Sequence, residues 1–528
     1  MKLSFFGAAR CVTGSCHCLD VNGKRILVDC GLQQGRDEVD NRVFPFKPEE
    51  IDAVLLTHAH IDHSGRLPLL VRRGFTGRIF TTRQTANLMD IMLEDSAQIR
   101  ESDAEWKNRK AKRSGGAVEE PLYTVADARR VREFVTTCDY GQRMEVCPGV
   151  TAEFVDAGHL LGSACVIVDA EEGGEQRRIV FSGDLGGVGQ PIIRDPSEIS
   201  GADYVVMEST YGDHDRKEVW RYTDELAQVI DETIGKGGNV LIPAYAVGRT
   251  QEVLYFIREM KEKGLVKSNP DFPVYIDSPL AKRTTTVFTG DLRGYLDEEA
   301  LELLGDSDHL FSFPYLHMVE TAEESRALNT DPVPKVIIAA SGMCDSGRIR
   351  HHLKHNLWRR ESAVVLLGSQ SRGTPGRAML DGEPSVNILG EEIAVRAKIV
   401  NFRGLTSHAD QSHLLAWIGA FCAPQPRHVF VVHGDPDVAP PFAKAVEKLG
   451  FEAHAPQYTE VYDLIANTCL EQGYQPGRKG RPSAYERLLS VAERVVAFVK
   501  RSKGRDGKQL ARYADQLQQL LETWENHS

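Results

Sequence analysis

Residues 56–70 read LTHAHIDHSGRLPLL, and positions 58–63 hold three histidines and an aspartate. The apolar run IDAVL precedes this cluster and the helix-like stretch SGRLPLLVRRGF follows it, so it falls where a strand ends. His58 and His60 are two residues apart, which on an extended backbone turns both to the same side. Asp62 and His63 then sit in the turn. No strand or helix requires that composition, and crowded imidazole and carboxylate groups are costly unless something pairs them. A cation does, and nitrogen and carboxylate donors of this kind suit zinc. One short motif cannot fill two four-coordinate sites, so the fold must bring further ligands to this strand end from distant parts of the chain.

The chain supplies them at the ends of other strand-like runs. His159 follows VTAEFVDA, Asp184 follows RRIVFSG, His408 lies in GLTSHADQS and His433 closes VFVVHGD. Asp29 ends KRILVDCG. Polar groups at the carboxyl ends of buried strands are where α/β proteins build their sites.

With 528 residues the chain is too long for one ordinary domain. Short strand-like runs dominate residues 1–208. From 209 to 395 strands alternate with helices (NVLIPA then GRTQEVLYFIREMKEKG, KVIIAAS then SGRIRHHLKHNL), the rhythm of a parallel sheet with crossover helices. Strand-like runs return in 396–470 with AKIVNF and RHVFVVHG, so the middle reads as a domain inserted into the first. A Gly-, Pro- and Arg-rich linker opens residues 471–528, where two apolar stripes at helical spacing follow. Leu488, Val491, Val495, Phe498 and Val499 form one stripe, with Ser483 and Glu486 placed as a capping box before it. Leu510, Tyr513, Leu517, Leu520, Leu521 and Trp524 form the other. Such a pair packs on its own body or on a second copy, as in a homodimer.

No apolar run approaches the roughly 20 residues of a membrane helix, and no signal peptide is legible at the N-terminus. Ten scattered cysteines read as reduced thiols, and the chain reads as cytoplasmic. Cys16 and Cys18 lack the second pair that a zinc knuckle needs. The net charge of −12 does not advertise nucleic-acid binding, although KNRKAKR, RIRHHLKHNLWRR and GRKGR are local basic patches.

The ordered set LVDCG, HAHIDH, GHLLGSA and SGDLG resembles the metallo-β-lactamase superfamily of dinuclear zinc hydrolases. The stretches MESTYG, SHADQ, PAYAVGRTQEVL, SGMCDSGR and GTPGRAMLDG resemble its β-CASP branch, especially bacterial and archaeal ribonuclease-type members, with an RNA-metabolising closing motif. The likeness covers about residues 1–470. It implies an αββα sandwich interrupted by an α/β insert with a parallel sheet. It also implies two zinc ions per chain and a bridging hydroxide that attacks RNA phosphodiesters. His58, His60 and His159 would hold the first zinc, and Asp62, His63 and His408 the second, with Asp184 between them. Asp29 and His433 would support the site without touching metal. Asp62, Glu208 and His408 would carry the chemistry.

Many relatives pair the acid at the Glu208 position with a histidine shortly before the His408 position. Here no histidine lies between His355 and His408, and Ala378, beside Arg377, falls at that place. The general acid is therefore missing on this reading. A histidine at 408 implies RNA rather than DNA. Ser341, Gly342 and Arg348, at a turn leading into a helix, are candidates for a phosphate cradle, and Arg377 is a further candidate for substrate binding. The leading expectation is a zinc-dependent ribonuclease acting on single-stranded RNA. The alternatives are a DNA nuclease or small-substrate phosphodiesterase of the same fold, or a non-catalytic RNA-binding subunit, which the complete ligand set disfavours. A thioesterase would leave the insert unexplained.

Overall fold

The computed structural model describes residues 1–34, 39–114, 118–215, 222–288, 292–306, 310–368, 370–371, 373–476, 511, 513–516 and 518. Residues 1–34 and 39–476 belong to one compact unit. The described residues 511, 513–516 and 518 belong to a second; they are helical and exposed. The capping box at Ser483 and most of both C-terminal stripes lie outside the described residues.

Two sheets make the body. One has eight strands in the order 468–471, 461–463, 2–5, 17–21, 24–28, 53–55, 78–82 and 135–138. The other has seven, in the order 453–454, 428–431, 204–207, 175–181, 164–172, 150–156 and 143–147. Alternation with period two gives each strand an inner face. Leu3, Phe5, Leu19, Ile26 and Val28 of the first sheet meet Phe154, Val166, Ile179, Tyr204, Val206 and Phe430 of the second in one buried cluster. The opposite residues of the second sheet, Val180, Val205, Val429 and Val431, pack on Leu414, Ile418, Phe442 and Val446 of helices Gln411–Gly419 and Ala439–Glu447. Helices Leu67–Arg72 and Arg83–Ser114 cover the first sheet through Leu67, Leu70, Leu88 and Met89. The layers are thus helix, sheet, sheet, helix.

The insert has a six-stranded sheet, in the order 316–318, 274–276, 336–339, 240–243, 363–367 and 398–402, with every neighbour parallel. Val240–Pro243, Val336–Ala339 and Ala363–Leu367 are buried at every residue, as strands covered on both faces must be. One boundary differs from the sequence reading. AKIVNF, assigned above to the returning sandwich, forms strand Lys398–Phe402, which pairs with Ala363–Leu367 as the edge of the insert sheet. Its apolar composition suits either sheet, and only the pairing distinguishes them. Because the strands are parallel, their carboxyl ends share one edge. The loop from 403 leaves that edge and reaches His408.

Among the described residues no helix is long and apolar enough to cross a membrane. The patch KNRKAKR is the exposed end of the 32-residue helix Arg83–Ser114.

Candidate metal centre

Strand Lys24–Val28 ends at Asp29 and strand Ala53–Leu55 runs into Thr57 and His58, side by side in a parallel pair. Asp29 is turned inward by a left-handed backbone (φ 63°), and its Oδ1 accepts the Thr57 N–H at 2.8 Å. Gly31 permits the histidine loop to close over this strand end: a Cβ there would lie 1.6 Å from the Asp62 carbonyl oxygen, which accepts the Ser15 N–H at 2.8 Å.

Three imidazoles converge on one point. His60 Nδ1 is 3.1 Å from His58 Nε2 and 3.2 Å from His159 Nε2, and Asp184 Oδ2 lies 3.4 and 3.5 Å from the latter two. A second group shares the other oxygen of Asp184. His63 Nε2 is 3.2 Å from Asp184 Oδ1 and 3.3 Å from His433 Nε2, which is 3.5 Å from Asp62 Oδ2. Burial pushes the His60 pKa down to about 3 and lowers His58 and His159 as well, and neighbouring histidines add to the effect. Burial opposes charge on His63 and His433 too, but Asp184, with Asp29 and Asp62 respectively, outweighs it and raises both. Burial likewise opposes ionisation of Asp62 and Asp184, yet the surrounding imidazoles hold both below the usual carboxylate range.

The donor set fits metal ions. Neutral imidazoles facing one another at about 3 Å turn lone pairs together, an arrangement that a cation relieves. Asp184 Oδ1 is buried and accepts no hydrogen bond. The outer ring nitrogens are tied back: His63 Nδ1 donates to Asp29 Oδ2 at 2.7 Å, His159 Nδ1 to the Ser407 carbonyl at 3.2 Å, and His433 Nδ1 lies 3.0 Å from Thr210 Oγ1. That leaves each Nε2 lone pair for a metal. Thr57 and Thr210 are orienting residues that the sequence reading did not name, although both sit inside the motifs it quoted.

Two placements differ from the sequence reading. His433, expected as a bystander, is the imidazole against Asp62 and His63. His408, expected as their partner, is instead 3.1 Å from Glu208 Oε1 through its Nδ1 and 4.0 Å from Asp184 Oδ2. Glu208 is fully buried; its Oε1 also accepts the Leu185 N–H at 2.6 Å, and its Oε2 the Thr210 N–H at 3.1 Å. The acid therefore has a histidine partner, His408, and Ala378 is not a gap in the site: it packs against the insert's own core. The physical reason is strand order. His428–Val431 pairs in parallel with Tyr204–Met207, which delivers His433 next to the end of the Glu208 strand.

The phosphate-cradle candidates are largely occupied. Arg348 donates to Asp277 Oδ1 at 2.6 Å and to the Glu320 carbonyl at 3.1 Å. Ser341 Oγ donates to Asp345 at 2.7 Å, and Arg377 Nε to both oxygens of Asp381 at 2.9 and 3.0 Å.

Residues 9–221 match the metallo-β-lactamase superfamily, 250–379 the Beta-Casp domain, and 392–456 the Zn-dependent metallo-hydrolase RNA specificity domain. Ribonuclease TTHA0252 of Thermus thermophilus is 37% identical over 461 residues, 87% of this chain and 99% of that protein. The chain belongs to the β-CASP branch of the metallo-β-lactamase superfamily. Among other β-CASP relatives, the proteins named transcription termination factor FttA from Methanocaldococcus jannaschii and Pyrococcus abyssi are each 29% identical. They match over 467 and 486 residues, which is 85% and 88% of this chain and 69% and 71% of theirs. The RNA specificity match covers His408 and His433, so this β-CASP chain brings both histidines to the site from that domain.

Proposed function

We propose that the protein is a zinc-dependent ribonuclease that hydrolyses phosphodiester bonds of single-stranded RNA with two zinc ions per chain. The observation that carries this reading is Asp184, whose two oxygens divide between the two histidine groups. His58, His60 and His159 would hold one ion, Asp62, His63 and His433 the other, with Asp184 shared. Bound zinc supplies Lewis acidity and activates water near neutral pH, which suits phosphodiester hydrolysis. Glu208 Oε1 accepts from His408 Nδ1 and orients the ring, so that His408 Nε2 can face the leaving oxygen as its proton donor. His408, partly exposed where His58, His63, His159 and His433 are buried, has access to substrate. The choice of RNA over DNA rests on the RNA specificity match and the relative's name, and no longer on His408 as a metal ligand.

The amphipathic C-terminal stripes support a further proposal, that this extension makes a homodimer contact. The ten free cysteines suit a reducing compartment, as a cytoplasmic enzyme would require. The deciding experiment is cleavage of end-labelled single-stranded RNA and DNA of one sequence, with and without chelator. RNA should be cut, chelator should stop it and zinc should restore it. Intact RNA, or preferential cutting of the DNA, would overturn the reading.

A further inference from the structure

Tyr245 stands at the carboxyl edge of the insert sheet, in the loop between strand Val240–Pro243 and helix Arg249–Glu262, with 48% of its surface exposed. The loop is firmly held. Thr250 donates to the Tyr245 carbonyl through its N–H at 3.2 Å and its hydroxyl at 2.8 Å, Thr284 Oγ1 donates to the Ala246 carbonyl at 2.8 Å, and Ala244 N–H to Ala339 at 3.1 Å. The Tyr245 ring lies against Gly342: a Cβ added to that glycine would come within 3.0 Å of Cε2 and 3.2 Å of Cδ2. The glycine therefore lets the ring lie close to the backbone on one side.

The loop also adjoins the metal centre. A Cβ at Gly248 would lie 3.5 Å from Leu160 Cδ1, and Leu160 follows His159. Desolvation, then the fields of Tyr211 and Asp345, outweigh Arg249 and push the Tyr245 phenol up to about 12. Meanwhile Arg348 and Arg377, the two arginines considered for phosphate contacts, are engaged by carboxylates, and a net charge of −12 does not favour a polyanion, so a grip on the bases would add to what phosphate contacts supply. A rigid aromatic ring held beside a hydrolytic centre answers that need, because every base offers a π-face.

We propose that Tyr245 is a stacking platform for one nucleobase of the single-stranded substrate, next to the phosphate being cleaved. This rests on the reading of the site as a nuclease acting on RNA.

The test crosses the residue with the base. Wild type, Tyr245→Leu and Tyr245→Phe are assayed on one single-stranded RNA and on a series with a stable abasic nucleotide at each position around the cut. Tyr245→Leu should raise KM roughly tenfold on intact RNA, the size of one lost stacking contact, and Tyr245→Phe should restore it. At one abasic position wild type should fall to the level of the leucine variant, which loses nothing more there. If the leucine variant and the abasic changes are additive at every position, or if phenylalanine fails to rescue, the ring does not stack a base. In parallel, quenching of 2-aminopurine in single-stranded RNA and DNA is followed for the same three proteins. Should wild type cleave neither polymer, the nuclease reading fails, yet the quench still decides the ring: loss with leucine and retention with phenylalanine supports stacking, and equal quench in all three overturns it.

Discussion

His408 and His433 look alike in the sequence, each a lone histidine at or a few residues beyond a strand-like run, and only their partners separate them. His433 Nε2 lies 3.3 Å from His63, while His408 Nδ1 lies 3.1 Å from Glu208. His433→Ala should therefore lose about one zinc per chain, whereas His408→Ala should keep both and lose about 10²- to 10⁴-fold in kcat, the range for a removed proton donor. Elemental analysis beside kinetics checks this; equal metal loss in the two variants would contradict it. Asp29 touches no metal on this reading, but it holds the His63 Nδ1 proton at 2.7 Å. Asp29→Asn should weaken zinc binding about 10- to 100-fold in a competition titration against a chelating dye. The HAHIDH cluster, His159 and Asp184 were legible because no other need explains those residue types at strand ends. The division of labour between His408 and His433 was not, since it depends on strands paired across the whole insert. Spacing does not record that pairing.

At the level of elements, the insert is tied together by a buried carboxylate. Asp277, at the end of strand Val274–Ile276, accepts from Arg348 and His352 at 2.6 Å and from Ser325 Oγ at 2.5 Å. Burial raises its pKa, but these hydrogen bonds outweigh that and leave it below the ordinary carboxylate value. A lowered folded-state pKa contributes stability above the unfolded carboxylate range, about pH 4, and that contribution is lost as pH falls through the folded value. Asp277→Ala leaves a buried imidazole and a guanidinium uncompensated and should cost about 3–5 kcal/mol at pH 7. Urea unfolding should show the gap from wild type narrowing as the pH drops below about 4; a gap independent of pH would contradict this. Strands of the insert were readable as apolar runs alternating with helices. The 32-residue helix Arg83–Ser114 was not, because its buried Ala86, Met89, Leu93 and Ala97 are diluted by polar residues, and only its basic end stood out. The strand at 398–402 was read into the wrong sheet for a related reason: composition announces burial, and pairing alone says beside which neighbour.

For the molecule as a whole, an acidic chain in which Arg348 and Arg377 are held by carboxylates should bind single-stranded RNA with a shallow salt dependence. A slope of log affinity against log salt of about −2 corresponds to some three phosphate contacts; a slope several times steeper would point to a basic channel instead. Removing residues 477–528 should leave zinc content and hydrolysis of short RNA in place while the solution mass falls from dimer to monomer. A truncated protein that stays dimeric would remove the homodimer proposal. The central claim, a dinuclear centre in which Asp184 joins two histidine groups, is tested most directly by anomalous diffraction at the zinc edge from crystals grown with zinc. It predicts two peaks, one among His58, His60 and His159, the other among Asp62, His63 and His433, both in contact with Asp184. A single peak, or a second one bound by His408 with His433 turned away, would contradict it.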